Sequence, residues 1–113
     1  MKLERWITEM GMGVDVHGGD YTKAAKRAVS DALRHSSLNF FGPTGKLRDD
    51  MYVEVVIGVA KPAAIDLESI AAEVPYGTVT VKPVTGGLDI ADPNGKETLV
   101  IANAAILVSF RAS

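Results

Sequence analysis

The stretch that decides the fold lies near the N-terminus and reads 11-GMGVDVHGGDYTKAAKRAV-29. Its first half is dense in glycine, and its second half has the apolar periodicity of a helix with one buried face. Asp20 precedes the periodic part and is a good N-cap for the helix. The apolar face is rich in alanine, so this helix is expected to lie very close to its sheet. That face consists of Tyr21, Ala24, Ala25, Ala28, Val29, Ala32 and Leu33.

Outward from this stretch, the pattern predicts four strands and one further helix. The element order β-α-β-α-β-β indicates an α+β domain spanning residues 1–113, with a four-stranded mixed sheet and both helices on one face. The predicted elements are strands at Leu3–Met10, Tyr52–Ala60, Thr78–Val84 and Thr98–Phe110, a short helix after the N-cap Asp66, a loop at 36–50 and a tight turn at Asp92–Gly95.

The last strand is apolar on both sides, which predicts cover on both faces of the sheet. Two short helices can cover only one face in a chain of 113 residues. We therefore expect another subunit to cover the second face, which makes the protein a homo-oligomer. The alternative is that the loop at 36–50 folds over it.

Composition and charge exclude several classes of protein. The 12 basic and 14 acidic residues leave no basic excess, which argues against nucleic-acid binding. There is no cysteine, so a disulfide scaffold, a thiol nucleophile and a thiolate metal site are excluded. The N-terminus lacks the apolar run of a signal peptide, and no stretch is long enough to span a bilayer. A cytoplasmic protein without a membrane role is expected.

The glycine-rich segment is the strongest candidate for a site. Glycines let the backbone approach a ligand closely, and free amides at a helix start bind anions. Asp15 and His17 project to the same side of an extended segment, so Asp15 could orient His17 as an acid/base group. Asp15, His17 and Asp20 could alternatively hold a divalent metal. In the structural alternative, the glycines only build a tight connection and Asp20 only caps. The predicted ligand-binding residues here are Gly11, Gly13, Gly18, Gly19 and Asp20.

Three weaker candidates lie elsewhere in the chain. Thr85 and Gly86 could form a second loop that approaches a ligand, although a bulge in the strand also explains them. Asn103 is an amide within the most apolar strand, where it contacts either a ligand or the neighbouring backbone. The segment beginning at Gly11 is not a dinucleotide-binding motif, because Val16 stands where the third glycine is needed.

The run from Gly11 to Val29 closely resembles the G-x-G-x-D-x-H-G signature of a small family of conserved hypothetical proteins found in bacteria and plants. That family has no assigned activity, so the resemblance supports a site at the motif without supplying a reaction. More distantly, the element order and 84-VTGGL-88 look like the chorismate mutase of the bacillus type. This likeness implies a trimer, or a multiple of it, with sites between subunits. Its activity is not implied, since the stretch Leu88–Gly95 contains no arginine to hold a dicarboxylate.

The expected function is a homo-oligomer that binds a small, anionic metabolite at the strand-to-helix loop, near a subunit interface. If the protein is an enzyme, His17 is the acid/base group and Asp15 its orienting partner. The alternative is a structural or regulatory oligomer without catalysis, in which the motif serves assembly. A metal-assisted hydrolase ranks third. The sequence assigns no cofactor.

Overall fold

The fold is described from a computed structural model, which covers residues 2–34 and 50–112. The regular elements follow the predicted order, with one additional short strand before the last. They are β1 (Leu3–Asp15), α1 (Tyr21–Arg34), β2 (Tyr52–Val59), a 3₁₀ turn (Pro62–Ala64), α2 (Leu67–Ala71), β3 (Thr78–Thr85), β4 (Leu88–Ala91) and β5 (Thr98–Arg111).

A mixed sheet forms the centre of the fold, with strand order β1-β5-β2-β3. The central strand β5 is antiparallel to β1 along almost its whole length and to β2 and β4 on its other side, while β2 and β3 are parallel. The predicted α+β class and mixed sheet are confirmed. The fifth strand, β4, comes from the alternation of Leu88 and Ile90 just before the predicted turn. That turn is present, with Gly95 N–H donating to the Asp92 carbonyl at 2.8 Å.

Both helices lie on one face of the sheet, as predicted. Helix α1 packs on β1 and β5, and Ala24, Ala28 and Ala32 are fully buried between them. Helix α2 begins at its N-cap Asp66, whose carboxylate accepts from the amides of Glu68 and Ser69. From β5, the core receives Val100, Ala102, Ala104, Ile106, Val108 and Phe110.

The opposite side of the sheet is here called the open face. Within the described residues, no helix packs on this face. The half of the face where β1 ends and β5 begins carries large exposed apolar side chains. The exposed fractions are 72% for Met10, 54% for Met12, 60% for Leu88 and 50% for Ile90. The alternative that the loop at 36–50 covers this face concerns residues that, apart from Asp50, lie outside the described ranges.

Neither helix of the described chain is long and apolar enough to cross a bilayer.

Candidate functional site

Gly11 and Gly13 lie within strand β1, which continues to Asp15 instead of ending at Met10. Both residues face helix α1. A Cβ at Gly11 would lie 2.4 Å from the carbonyl oxygen of Ala28, and one at Gly13 would lie 2.2 Å from that of Ala24. These distances leave no room for a side chain, because backbone atoms of a helix cannot move away alone. The predicted loop is thus shorter than expected, and its first two glycines form the contact between α1 and the sheet.

Asp15 ends β1 as a buried carboxylate with 2% of its surface exposed. Its Oδ2 accepts a hydrogen bond from the Asp20 amide at 2.8 Å. Its Oδ1 lies 3.7 Å from Arg27 Nη1 and 3.9 Å from Lys23 Nζ. Asp15 therefore joins the strand end to the start of α1, and its contacts are structural ones.

The connection between β1 and α1 comprises only residues 16–20. Gly18 and Gly19 have φ values of +87° and +60°, a conformation that strongly favours glycine. Asp20 caps α1 as predicted, since its Oδ1 accepts from the Lys23 amide at 3.0 Å. The amides of Asp20 and Lys23 are both bonded within the chain, so the expected anion seat at the helix start is partly occupied by the protein's own carboxylates.

His17 projects from this connection, and 80% of its side chain is exposed. Its Nδ1 lies 2.9 Å from Oε2 of Glu97, just before β5. The hydrogen bond to Glu97 and the charge of that carboxylate raise the pKa of His17 above its usual 6.5. The expected orientation of His17 by Asp15 is therefore wrong: Glu97 is the carboxylate bonded to the imidazole, while Asp15 is bonded to the start of α1.

An open cleft of 410 Å³ lies between this connection and the turn before β5. Two lysines and one carboxylate line it, which gives it a positive balance before His17 is counted. A raised pKa adds to that balance, because it increases the protonated fraction of His17 at neutral pH. We call this the loop cleft; its lining residues are Gly18, Gly19, Tyr21, Lys61, Gly95, Lys96, Glu97 and Thr98.

Tyr21, in the first turn of α1, forms one wall of the loop cleft, and this turn is bonded to two other parts of the fold. The Tyr21 hydroxyl donates to Asp89 in β4, and this hydrogen bond raises the pKa of Tyr21. The hydroxyl of Thr22 accepts from the Asp66 amide at 2.9 Å, immediately before α2. This wall is therefore fixed from both sides.

The weaker candidates lie away from this connection. Thr85 ends β3, and Gly86 packs against Gly58 while its amide donates to the Val59 carbonyl at 2.9 Å. Asn103 pairs with Met12 and Gly58 and is exposed on the open face, which is the side of the sheet away from α1. None of these three residues lines the loop cleft.

The metal alternative finds no matching geometry in residues 2–34 and 50–112. These ranges hold no group of three or more His, Asp or Glu side chains arranged to bind a metal ion. Asp15 instead lies next to two cationic side chains.

Sequence reasoning missed three residues of the site: Lys61, Lys96 and Glu97. Each follows or precedes a strand, so the sheet topology brings it to the same end of the fold as the Gly18–Gly19 turn. Glu97 is 80 positions from His17, and no local pattern could indicate that pair. The only available signal was the tight turn at Asp92–Gly95, which places the residues after it at the start of β5.

Residues 5–108 match the family described as conserved hypothetical protein (Lin0512_fam). The chain belongs to this family. A solved structure, that of an FtsZ-like protein of unknown function from Nostoc punctiforme PCC 73102, is 34% identical over 99% of each chain, with a TM-score of 0.88. No curated protein matches the sequence.

The expected membership of a conserved hypothetical family is confirmed. The likeness to the bacillus-type chorismate mutase, and the trimer it implies, stay predictions.

Proposed function

We propose that this protein is a homo-oligomer that binds a small anionic metabolite in the loop cleft, near a subunit interface. The observation that carries the proposal is the meeting of Lys61, Lys96 and the His17–Glu97 pair around the Gly18–Gly19 turn. Exposed positive groups around a concave, glycine-walled surface suit a carboxylate or phosphate ligand. Thr98 lines the cleft and Leu99 follows it on the open face, so the cleft borders that face.

In this proposal, the residues of the motif that bind the ligand are those that contact solvent. Gly18 and Gly19 keep the predicted ligand-binding role, and His17 acts either as the predicted acid/base group or as a cation that attracts the ligand. Gly11, Gly13 and Asp15 support this site indirectly, because they fix the position of α1. Thr85, Gly86 and Asn103 have no contact with the loop cleft that supports a role in it.

The second candidate is a structural or regulatory oligomer in which the motif serves assembly. The packing of Gly11 and Gly13 against α1 favours it, since half of the motif has a structural explanation without any ligand. The two candidates differ in what they predict for the exposed half of the motif.

Thermal-shift measurements with inorganic phosphate, pyrophosphate and citrate, followed by calorimetric titration, test the proposal. At least one anion should raise the Tm, and Lys61→Gln combined with Lys96→Gln should weaken its binding about tenfold or more, since each lost ion contact typically costs about 1 kcal/mol. Lys82→Gln, which removes an exposed lysine from β3, is the matched control and should bind normally. If no anion raises the Tm, or if the double variant binds like the control, the ligand proposal is wrong. The structural or regulatory oligomer is then the better explanation of the motif.

A further inference from the structure

We infer that the open face packs against the open face of a second copy of this chain, and that neither edge of the sheet mediates this contact. The inference rests on the self-association in the proposed function and not on its ligand. Its starting point is the side-chain pattern of the three strands that cross the face.

The two halves of the open face differ in the side chains that the strand register places there. In the half nearer the loop cleft, Met10 lies beside Ala105, and Ile101 lies between Val14 of β1 and Leu88 of β4. Leu99 and Ile90 extend the same apolar surface. In the other half, Ser109 lies between Arg5 of β1 and Tyr52 of β2. Leu107 lies in the same way between Thr8 and Glu54. The first half is therefore mainly apolar, with the exposed amide of Asn103 within it, and the second half is more polar. Protein interfaces commonly combine an apolar core with a polar rim.

The size of the open face matches what a stable interface needs. The 14 residues of β5 make it about 45 Å long, and β5 with its neighbours on either side makes it about 10 Å wide. The eight residues of β3 add a fourth strand beside β2, for roughly 600 Å² in all. A standard protein interface buries about 800 Å² on each partner.

The outer edge of β1 is protected against strand addition. The Met12 amide donates to Asp31 Oδ2 at 3.0 Å, and the Val14 carbonyl accepts from Arg27 Nη1 at 2.6 Å. Both partners are side chains of α1, so these backbone groups are already bonded within the chain. Farther along β1, the register shifts between Arg5 and Ile7, and such an irregularity bends an edge strand away from a regular partner.

The opposite edge is protected by different means. β3 is the last strand on that side, and Pro83 within it has no amide hydrogen to donate. The neighbouring Lys82 is exposed, and a lysine on an edge strand opposes pairing with another chain. The outer edges of β1 and β3 are therefore poor sites for adding a strand, which favours the open face as the surface of self-association.

Light scattering coupled to size-exclusion chromatography, over a range of concentrations, tests the inference. The wild-type mass should reach a plateau at a closed oligomer, because contact through one face leaves no open end. Met10→Glu and Leu88→Glu should each weaken association by at least about 100-fold, since a carboxylate is costly to bury without a partner. Both side chains are more than half exposed in the single chain, so the variants should still fold, as circular dichroism will show.

Leu67→Glu is the matched control, because Leu67 is an exposed leucine on α2, away from the open face. Its mass should equal that of the wild type. A monomeric wild type would overturn the inference together with the self-association, and would leave the loop between α1 and β2 as the candidate cover. An oligomeric wild type whose mass survives both face substitutions would overturn the inference alone. Anion binding by the wild type, measured separately, reports on the ligand proposal whatever the oligomeric state.

Discussion

The two halves of the glycine-rich motif differ in almost every physical property. The strand half, Gly11–Asp15, lies in β1 under helix α1, with backbone-to-backbone contacts and a buried carboxylate. The loop half, 16–20, is largely exposed, turns through two positive-φ glycines and carries His17 into solvent. A motif that looks like one site therefore combines a packing requirement with a surface feature. Substitutions in the two halves should separate these roles.

Gly13→Ala should have the largest effect. Its new methyl group would lie 2.2 Å from the Ala24 carbonyl oxygen and 2.3 Å from the Ala28 amide nitrogen, so α1 would have to shift as a whole. We expect a loss of about 3 kcal/mol of unfolding free energy and a fall in Tm of about 10 °C or more. Thermal unfolding followed by circular dichroism measures it; an unchanged Tm would contradict the close contact between α1 and β1.

Asp15→Ala should have the next largest effect, a loss of about 2 kcal/mol of unfolding free energy. The substitution leaves the part-buried Asp20 amide without its acceptor and removes the buried carboxylate that faces Lys23 and Arg27. Urea denaturation measures the change. His17→Ala is the comparison in the loop half. At a pH where the imidazole is neutral, its free energy of unfolding should be close to that of the wild type, because the ring is exposed and its pair with Glu97 lies at the surface. Equal losses for the two variants would show that the halves are not separate.

Gly18→Ala should have a smaller effect, a loss of about 1 kcal/mol of unfolding free energy. No atom lies within 4 Å of the added methyl group, so only the positive φ of +87° opposes it. Substitution by alanine is therefore opposed by steric overlap at Gly13 and by the backbone conformation at Gly18. Thermal unfolding of the two alanine variants side by side checks the order, and a larger loss at Gly18 would reverse our assignment.

The smallest effect concerns the charge of His17. The pKa of His17 is raised in the folded state, so its pairing with Glu97 stabilises the fold below about pH 6.5, and this contribution is lost as the pH rises through the folded pKa. Glu97→Gln should lower the pKa of His17 towards 6.5 in an NMR titration of the ring. Asp89→Asn, a carboxylate replacement in neighbouring β4, should leave that pKa unchanged; an equal shift in both variants would argue against a specific pair.

The sequence predicted those parts of the fold that depend on local periodicity. Helix α1 and its close approach to the sheet follow from its alanine-rich apolar face. The cap follows from Asp20, which precedes that face in the sequence. The end of β1 was misplaced because Gly11 and Gly13 were interpreted as loop residues, whereas both are glycine for lack of space beneath the helix. Their spacing matches the exposed helix backbone between Ala24 and Ala32, but only the packed structure shows this.

The site was less predictable than the fold because its partners are far apart in the chain. His17 was found from its place next to the glycines, and Asp15 was chosen as its partner because it is near in sequence. The actual partner, Glu97, reaches His17 only because β5 is antiparallel to β1 and begins where β1 ends. Lys61 and Lys96 arrive at the cleft by the same topology.

The hydrogen bonds that hold the first turn of α1 have a consequence for binding itself. Asp15, Asp89 and Asp66 bond to Asp20, Tyr21 and Thr22 respectively, so three consecutive residues are attached to three different parts of the fold. A wall held in this way has little conformational entropy left to lose. A ligand of the loop cleft should therefore bind a preorganised surface, with free and bound proteins nearly superimposable on that side and affinity set by the ligand's own charge and shape.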